Sequence, residues 1–259
     1  MKKKRPLIVG NWKQNPATVV RAEKLFVDIQ KGIKVKTKDV NVAIASPLLF
    51  IADLMELASP QKIDFVAQDV SPEEGGAHTG EISAAQLRSV GVKCSIVGHS
   101  ERRSLGETDE LINQKLRALL AVRSAAILCI GERERDGSGD YFNMVEEQLE
   151  MDLAGVKSAD LKNVIIAYEP VWAIGTQNNA GAADVEEMKL FIQKVLSDIY
   201  GRKEAESVRI IYGGSVSPDN AEELLKGGKA DGFLVGGASL EAKKFIEIIK
   251  IADKYARLA

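Results

Sequence analysis

Eight short apolar runs constrain this chain more than any other feature of its 259 residues. They fall at residues 7–9, 40–44, 63–66, 94–97, 126–130, 164–166, 208–211 and 232–235. Each is nearly continuous and most are rich in Val and Ile. A strand covered on one face alternates apolar and polar residues, whereas a strand covered on both faces reads as an unbroken apolar run. The runs therefore predict strands buried on both sides. Stretches of helical period lie between them. Residues 18–31 put Ala22, Leu25, Phe26 and Ile29 on one side, with Thr18 as a cap. Residues 108–122 do the same with Leu111, Ile112, Leu116, Leu119 and Leu120, and residues 183–200 and 240–256 are the clearest later examples. Shorter helical signals occur at 48–57, 84–89, 142–153 and 219–225.

Alternation of strands with helices argues an α/β fold with a parallel sheet. Eight such units closing on themselves argue a (β/α)8 barrel, with an open doubly wound sheet as the alternative. No Pro/Ser-rich or charged linker divides the chain, so residues 1–259 are expected to form one barrel domain. The formal charge of -2 gives no case for nucleic-acid binding. The basic start, Met1-Lys2-Lys3-Lys4-Arg5, precedes an apolar run that ends by Asn11, too short for a secretory signal. No stretch approaches the ~18 apolar residues of a membrane span. Cys94 and Cys129 lie in apolar runs and read as buried reduced thiols, which points to a cytoplasmic protein.

In such a barrel the chemistry collects where strands end. Asn11 and Lys13 follow the first run, His99 and Glu101 the fourth, Gly131-Glu132 the fifth and Glu169 the sixth. Gly213-Gly214-Ser215 follow the seventh and Gly236-Gly237 the eighth. Glu169 stands before Pro170, which ends the strand, and before Val171, Trp172, Ala173, Ile174, Gly175 and Thr176. A carboxylate desolvated beneath an apolar loop becomes a stronger base, so 170–176 read as a lid over Glu169. His99 precedes a short helical signal whose amino end would keep its ring neutral. Lys13 would supply positive charge for an anion or a developing oxyanion, with Glu101 as its possible partner. The two glycine pairs match the place where barrels build a phosphate site from backbone N–H groups. No Walker lysine or dinucleotide fingerprint is present, so the phosphate belongs to a small substrate. His78 has no strand tip beneath it and reads as loop structure, and the two histidines lack metal-ligand spacing.

These residues are recognisable together. The segments Gly10-Asn11-Trp12-Lys13, Gly76-Ala77-His78-Thr79-Gly80-Glu81, Gly98-His99-Ser100-Glu101-Arg102-Arg103, Ala167-Tyr168-Glu169-Pro170-Val171-Trp172-Ala173-Ile174-Gly175-Thr176, Tyr212-Gly213-Gly214-Ser215 and Gly232-Phe233-Leu234-Val235-Gly236-Gly237 occur in this order. The chain thereby resembles the triosephosphate isomerase family along essentially its whole length. That family is itself a standing example of tuned acid–base chemistry and of a closing barrel loop, so the roles that follow are inherited from it. The resemblance implies a TIM barrel that interconverts dihydroxyacetone phosphate and D-glyceraldehyde 3-phosphate through an enediolate. Glu169 would be the base and His99 a neutral electrophile. Lys13 and Asn11 would hold the substrate, and Glu101 would buttress them. Gly175, Ser215, Gly236 and Gly237 would bind the phosphate of the small triose. No metal or organic cofactor is implied. A homodimer is, with Gln14, His78 and Thr79 at its interface.

The chain departs from the family pattern in four places. Gln14 stands where methionine is usual, the segment Ser104-Leu105-Gly106-Glu107 is one residue short, and the segment after Glu132 is shortened. Gln177 replaces a glycine at the far hinge of the lid, which predicts a shifted or slower hinge. Two other readings remain at this level. One is a different phosphate-binding barrel enzyme such as a sugar-phosphate epimerase; the other is a non-catalytic barrel scaffold.

Overall fold

The computed structural model describes residues 4–33, 39–59, 63–135, 137–173 and 180–258. Every apolar run becomes a strand: β1 (Leu7–Asn11), β2 (Asn41–Ala45), β3 (Asp64–Phe65), β4 (Cys94–Val97), β5 (Ala125–Ile130), β6 (Val164–Tyr168), β7 (Arg209–Tyr212) and β8 (Gly232–Val235). All pairings are parallel, in the order β3-β2-β1-β8-β7-β6-β5-β4. The two ends of that order meet. Ala67, just past β3, bridges Ser95 of β4. Its N–H donates to the Cys94 carbonyl at 2.9 Å, and its own carbonyl accepts from Ile96 N–H at 2.9 Å. The sheet is therefore a closed ring, which decides for the barrel over an open sheet.

Register explains why the runs are continuous. Leu7, Val9, Ala43, Ala45, Val66, Ile96, Ile127, Cys129, Ala167, Ile211 and Leu234 pack together inside the ring. Their alternating neighbours, among them Ile8, Ile44, Val97, Leu128, Ile166 and Phe233, pack outward beneath the helices. Most strand positions thus meet apolar surface, and fully burying one Ile or Leu stabilises by about 1.5–3 kcal/mol.

The helices are α1 (Val19–Gly32), α2 (Leu48–Leu57), α3 (Ala84–Ser89), α4 (Ser100–Ser104), α5 (Asp109–Ala121), α6 (Asp140–Asp152), α7 (Ala182–Tyr200), α8 (Arg202–Ser207), α9 (Ala221–Lys226) and α10 (Ala242–Leu258). Thr18 and Thr108 cap α1 and α5, their side chains accepting from Arg21 and Leu111 N–H. Ser83 and Gln86 form a reciprocal capping box on α3. Three details differ from the sequence-based expectation. β1 and β6 run two residues further, because Asn11 and Tyr168 continue the ladder although neither is aliphatic. β3 keeps only two residues. Helix α8 carries no apolar stripe, only Ala205 being buried, so its sequence shows no helical period. Among the described residues no helix is long and apolar enough to cross a membrane.

Candidate active site

β6 stops at Tyr168, and Glu169 is the first residue beyond it. Its N–H still donates to the Ile130 carbonyl at 2.8 Å, so the backbone is held in ladder geometry. The side chain is 2% exposed. Its Oε2 accepts from Ser100 N–H at 2.9 Å, and its Oε1 lies 3.2 Å from His99 Nε2. Two glycines make room for this residue. A Cβ on Gly131 would lie 1.9 Å from the Glu169 carbonyl oxygen, and one on Gly213 would lie 2.8 Å from Glu169 Cγ.

His99 follows β4 and caps α4. Its Nδ1 accepts from Glu101 N–H at 3.2 Å. A ring nitrogen that accepts an N–H carries no proton, so the hydrogen-bond network assigns a neutral ring with the proton on Nε2. That proton faces Glu169.

Lys13 lies two residues beyond the barrel strand in a left-handed conformation, φ 52°. Such a backbone is strained for a lysine and persists only where its surroundings hold it. Here Lys13 N–H donates to Asn11 Oδ1 at 3.0 Å, and Gln68 Nε2 donates to the Lys13 carbonyl at 2.8 Å. The Lys13 ammonium donates to Glu101 Oε1 at 2.6 Å. Glu101 therefore touches both neighbours: its side chain holds Lys13, and its backbone N–H sets the His99 tautomer.

Asn11, Lys13, His99, Glu169, Ser215, Gly236 and Gly237 all line one cavity of about 290 Å³. A Cβ on Gly237 would meet nothing within 4 Å, and one on Gly236 would lie 3.7 Å from Lys13 Cε. Bare backbone thus opens onto the cavity beside the lysine. Glu101 stands behind Lys13, outside the lining. Pro170 and Ala173 are buried, Val171 and Trp172 half-buried, and Val171–Ala173 form a single 3-10 turn. Ile174, Gly175, Thr176 and Gln177 lie outside the described residues, and with them the expected hinge and one expected phosphate contact. Gln14, His78 and Thr79 are exposed, the last two in the uniformly exposed loop 73–81.

The structure adds a cluster that the sequence reading left without a role. Glu132, two residues past the end of β5, is fully buried. Its Oε1 accepts from Tyr168 Oη at 2.8 Å, Trp172 Nε1 at 2.7 Å and Arg135 Nε at 3.2 Å. Its carbonyl accepts from Val171 N–H at 2.9 Å. Arg135 also pairs with Asp184 and Glu187, each at 3.0 Å, and its guanidinium lies 4.8 Å from the Tyr141 ring centre. Burial and the Glu132 charge push the Tyr168 phenol well above its ordinary pKa, so it stays a donor. The amino-terminal part of the 170–176 segment is thereby tied to the end of β5. A polar residue close behind a strand is a visible signal for Glu132; its partners 36 and 40 residues away are not.

Comparison with known proteins bears directly on this arrangement. The family model described as triosephosphate isomerase matches residues 6–252. The chain belongs to the triosephosphate isomerase family. It is 41% identical to the triosephosphate isomerase of Syntrophotalea carbinolica over 95% of this chain and 98% of that protein. It is 41% identical to that of Chloroherpeton thalassium over 98% of this chain and 100% of the other, and 42% identical to that of Chlorobium chlorochromatii over 97% and 99%. The turn after α4 folds with Gly106 at φ 103°. It leaves Leu105 80% exposed and turns Glu107 inward, where it meets Arg102 at 2.6 Å and Lys115 at 2.5 Å.

Proposed function

We propose that this chain interconverts dihydroxyacetone phosphate and D-glyceraldehyde 3-phosphate by proton transfer through an enediolate. One observation carries the reading: a buried carboxylate and a neutral imidazole, 3.2 Å apart, share a small cavity with a lysine and two glycine-lined turns. In this reading the phosphate lies against backbone N–H groups of Gly175, Ser215, Gly236 and Gly237, and Lys13 offsets its charge. Asn11 helps to hold the substrate. Glu169 leaves the Ser100 N–H, takes the proton from the carbon next to the carbonyl, and returns it to the neighbouring carbon. His99 donates from Nε2 to the carbonyl oxygen and moves protons between the two oxygens. Lys13 also stabilises the enediolate, where fixed charge is worth more than in water. Glu101 holds Lys13 and the His99 tautomer. Residues 170–176 form the lid that excludes water from an intermediate able to expel phosphate.

We further propose that the whole chain acts as one barrel domain, works in the cytoplasm and pairs as a homodimer. The free thiols Cys94 and Cys129 favour a reducing compartment. Exposed Leu48, Leu49 and Leu105 lie with Gln14 and the loop carrying His78 and Thr79 past the ends of β1 to β4. That rim supports a second copy as the occupant, and light scattering tests it.

The function is tested by a coupled assay with each triose phosphate as substrate. Turnover in both directions is the expected result. Failure in both, with epimerisation of a larger sugar phosphate, would replace this reading with the epimerase one.

A further inference from the structure

Arg103 and Asp152 take no part in the chemistry above, yet both lie close beneath it, Arg103 half-buried and Asp152 fully buried. Asp152 ends α6 and is fully buried. Its Oδ2 accepts from Arg103 at 2.7 Å. The other terminal nitrogen of the same guanidinium pairs with Asp109, the first residue of α5. Asn113 Nδ2 fixes the Asp152 backbone by donating to its carbonyl at 2.8 Å. Arg103 is thus gripped by the start of one helix and the end of another.

What it does with its remaining donors matters for the site. Arg103 Nε donates to the Gly98 carbonyl at 2.9 Å, and one terminal nitrogen reaches the Cys129 carbonyl at 3.3 Å. Gly98 immediately precedes His99. Cys129 lies in β5, next to Glu169, whose charge adds to burial in pushing the Cys129 thiol up. Gly98 is itself shaped for this contact. It has φ 69°, and a Cβ there would lie 3.1 Å from the Cys129 carbonyl oxygen and 3.2 Å from the guanidinium. A lysine in place of Arg103 could reach one of these groups but not all, because only the guanidinium presents donors as a fixed fork.

We propose that Asp152, acting through Arg103, is a positioning residue that fixes the ends of β4 and β5 and so sets His99 against Glu169. The pair touches no substrate atom. It holds two backbone carbonyls whose displacement would carry the imidazole and the carboxylate apart. Misplacing reacting groups by about 1 Å costs on the order of 100-fold in rate.

The inference rests on the isomerase reading, and its test keeps the two separable. Arg103→Lys, Asp152→Leu and Asp152→Asn are compared with wild type in the coupled assay, after thermal melts establish which are folded. Arg103→Lys and Asp152→Leu are expected to lower kcat ~10-fold to ~100-fold with KM within about twofold. Asp152→Asn keeps an acceptor for Arg103 and is expected to restore kcat to within about threefold of wild type. Nitrogen NMR of histidine-labelled protein supplies a readout independent of turnover. The chain has two histidines, and His78 is exposed, so the buried ring is assignable. The His99 nitrogens should report an unprotonated Nδ1 in wild type and Asp152→Asn, and should shift in the other two variants. Wild-type inactivity would sink the isomerase reading while leaving the NMR comparison intact. Folded Arg103→Lys with unchanged kcat and His99 shifts would overturn the proposal. So would loss of folding in both disruptive variants beside a fully active Asp152→Asn, which would assign the pair to stability alone.

Discussion

Gly213→Ala is the substitution whose effect can be worked most directly from the structure. The added Cβ would sit 2.8 Å from Glu169 Cγ and 3.3 Å from the Tyr168 carbonyl oxygen. Two carbons sit comfortably at ~3.5 Å or more, so the carboxylate must retreat by roughly 0.7 Å. Cγ is in the middle of a buried side chain, and its far end is fixed by Ser100 N–H and His99. The Tyr168 carbonyl cannot yield either, since it accepts from Gly213 N–H at 2.7 Å. The displacement therefore falls on the base. A shift of this size should lower kcat/KM ~10-fold to ~100-fold, about 1.4–2.7 kcal/mol of transition-state stabilisation. The barrel itself should persist, because the clash is confined to the rim. Steady-state kinetics with the coupled assay gives the first quantity and calorimetry the second. A folded Gly213→Ala protein with kcat/KM within threefold of wild type would refute the argument that this glycine makes room for the base.

Two further outcomes follow from buried groups. Glu132→Ala takes the acceptor from the buried Tyr168 Oη, at about 1–3 kcal/mol, and one contact from the half-buried Trp172 Nε1. Urea unfolding should show a loss of ~2–4 kcal/mol, with Glu132→Gln losing less; equal stability of Glu132→Ala and wild type would contradict the anchoring role. Asp152 is pushed up to about 8 by burial and by the neighbouring Asp109 carboxylate, against the opposing Arg103 charge. An unfolded aspartate titrates at ~3.9, so the folded protein holds a proton that the unfolded chain releases. The resulting stability is complete below ~3.9 and is lost as pH rises through about 8. Unfolding free energy measured across that window should fall with pH in wild type and flatten in Asp152→Asn; parallel slopes would count against it.

The fold was legible because barrel strands are buried twice over. Runs such as residues 164–166 and 232–235 have no polar face to disguise them, and caps such as Thr108 mark where helices begin. Legibility failed where burial did not impose a pattern. Helix α8 buries only Ala205, so nothing in Arg202-Lys203-Glu204-Ala205-Glu206-Ser207 distinguishes it from a turn. The run 63–66 predicts a longer strand than β3 because Ile63 is apolar for packing, whereas the ring is closed by Ala67, an unremarkable residue in sequence. Site residues stood out when a polar group stood at a strand's end or within two residues of it, as Asn11, Glu132 and Glu169 do. What they touch did not. Arg103 meets a carboxylate 49 residues away on another helix, and no spacing in the chain announces it. Such contacts are products of closure, visible only once the ring brings β4, β5 and β6 side by side.

The central claim is that Glu169 moves a carbon-bound proton, and isotope exchange tests it at the atom concerned. Dihydroxyacetone phosphate is incubated with the enzyme in deuterated water, and NMR follows the carbon next to the carbonyl. Deuterium should enter the recovered substrate at its hydroxymethyl carbon and the product at the carbon next to the aldehyde, and Glu169→Gln should slow its entry by orders of magnitude while still binding phosphate. Isomerisation that leaves the carbon unlabelled, or exchange by Glu169→Gln at the wild-type rate, would contradict the account.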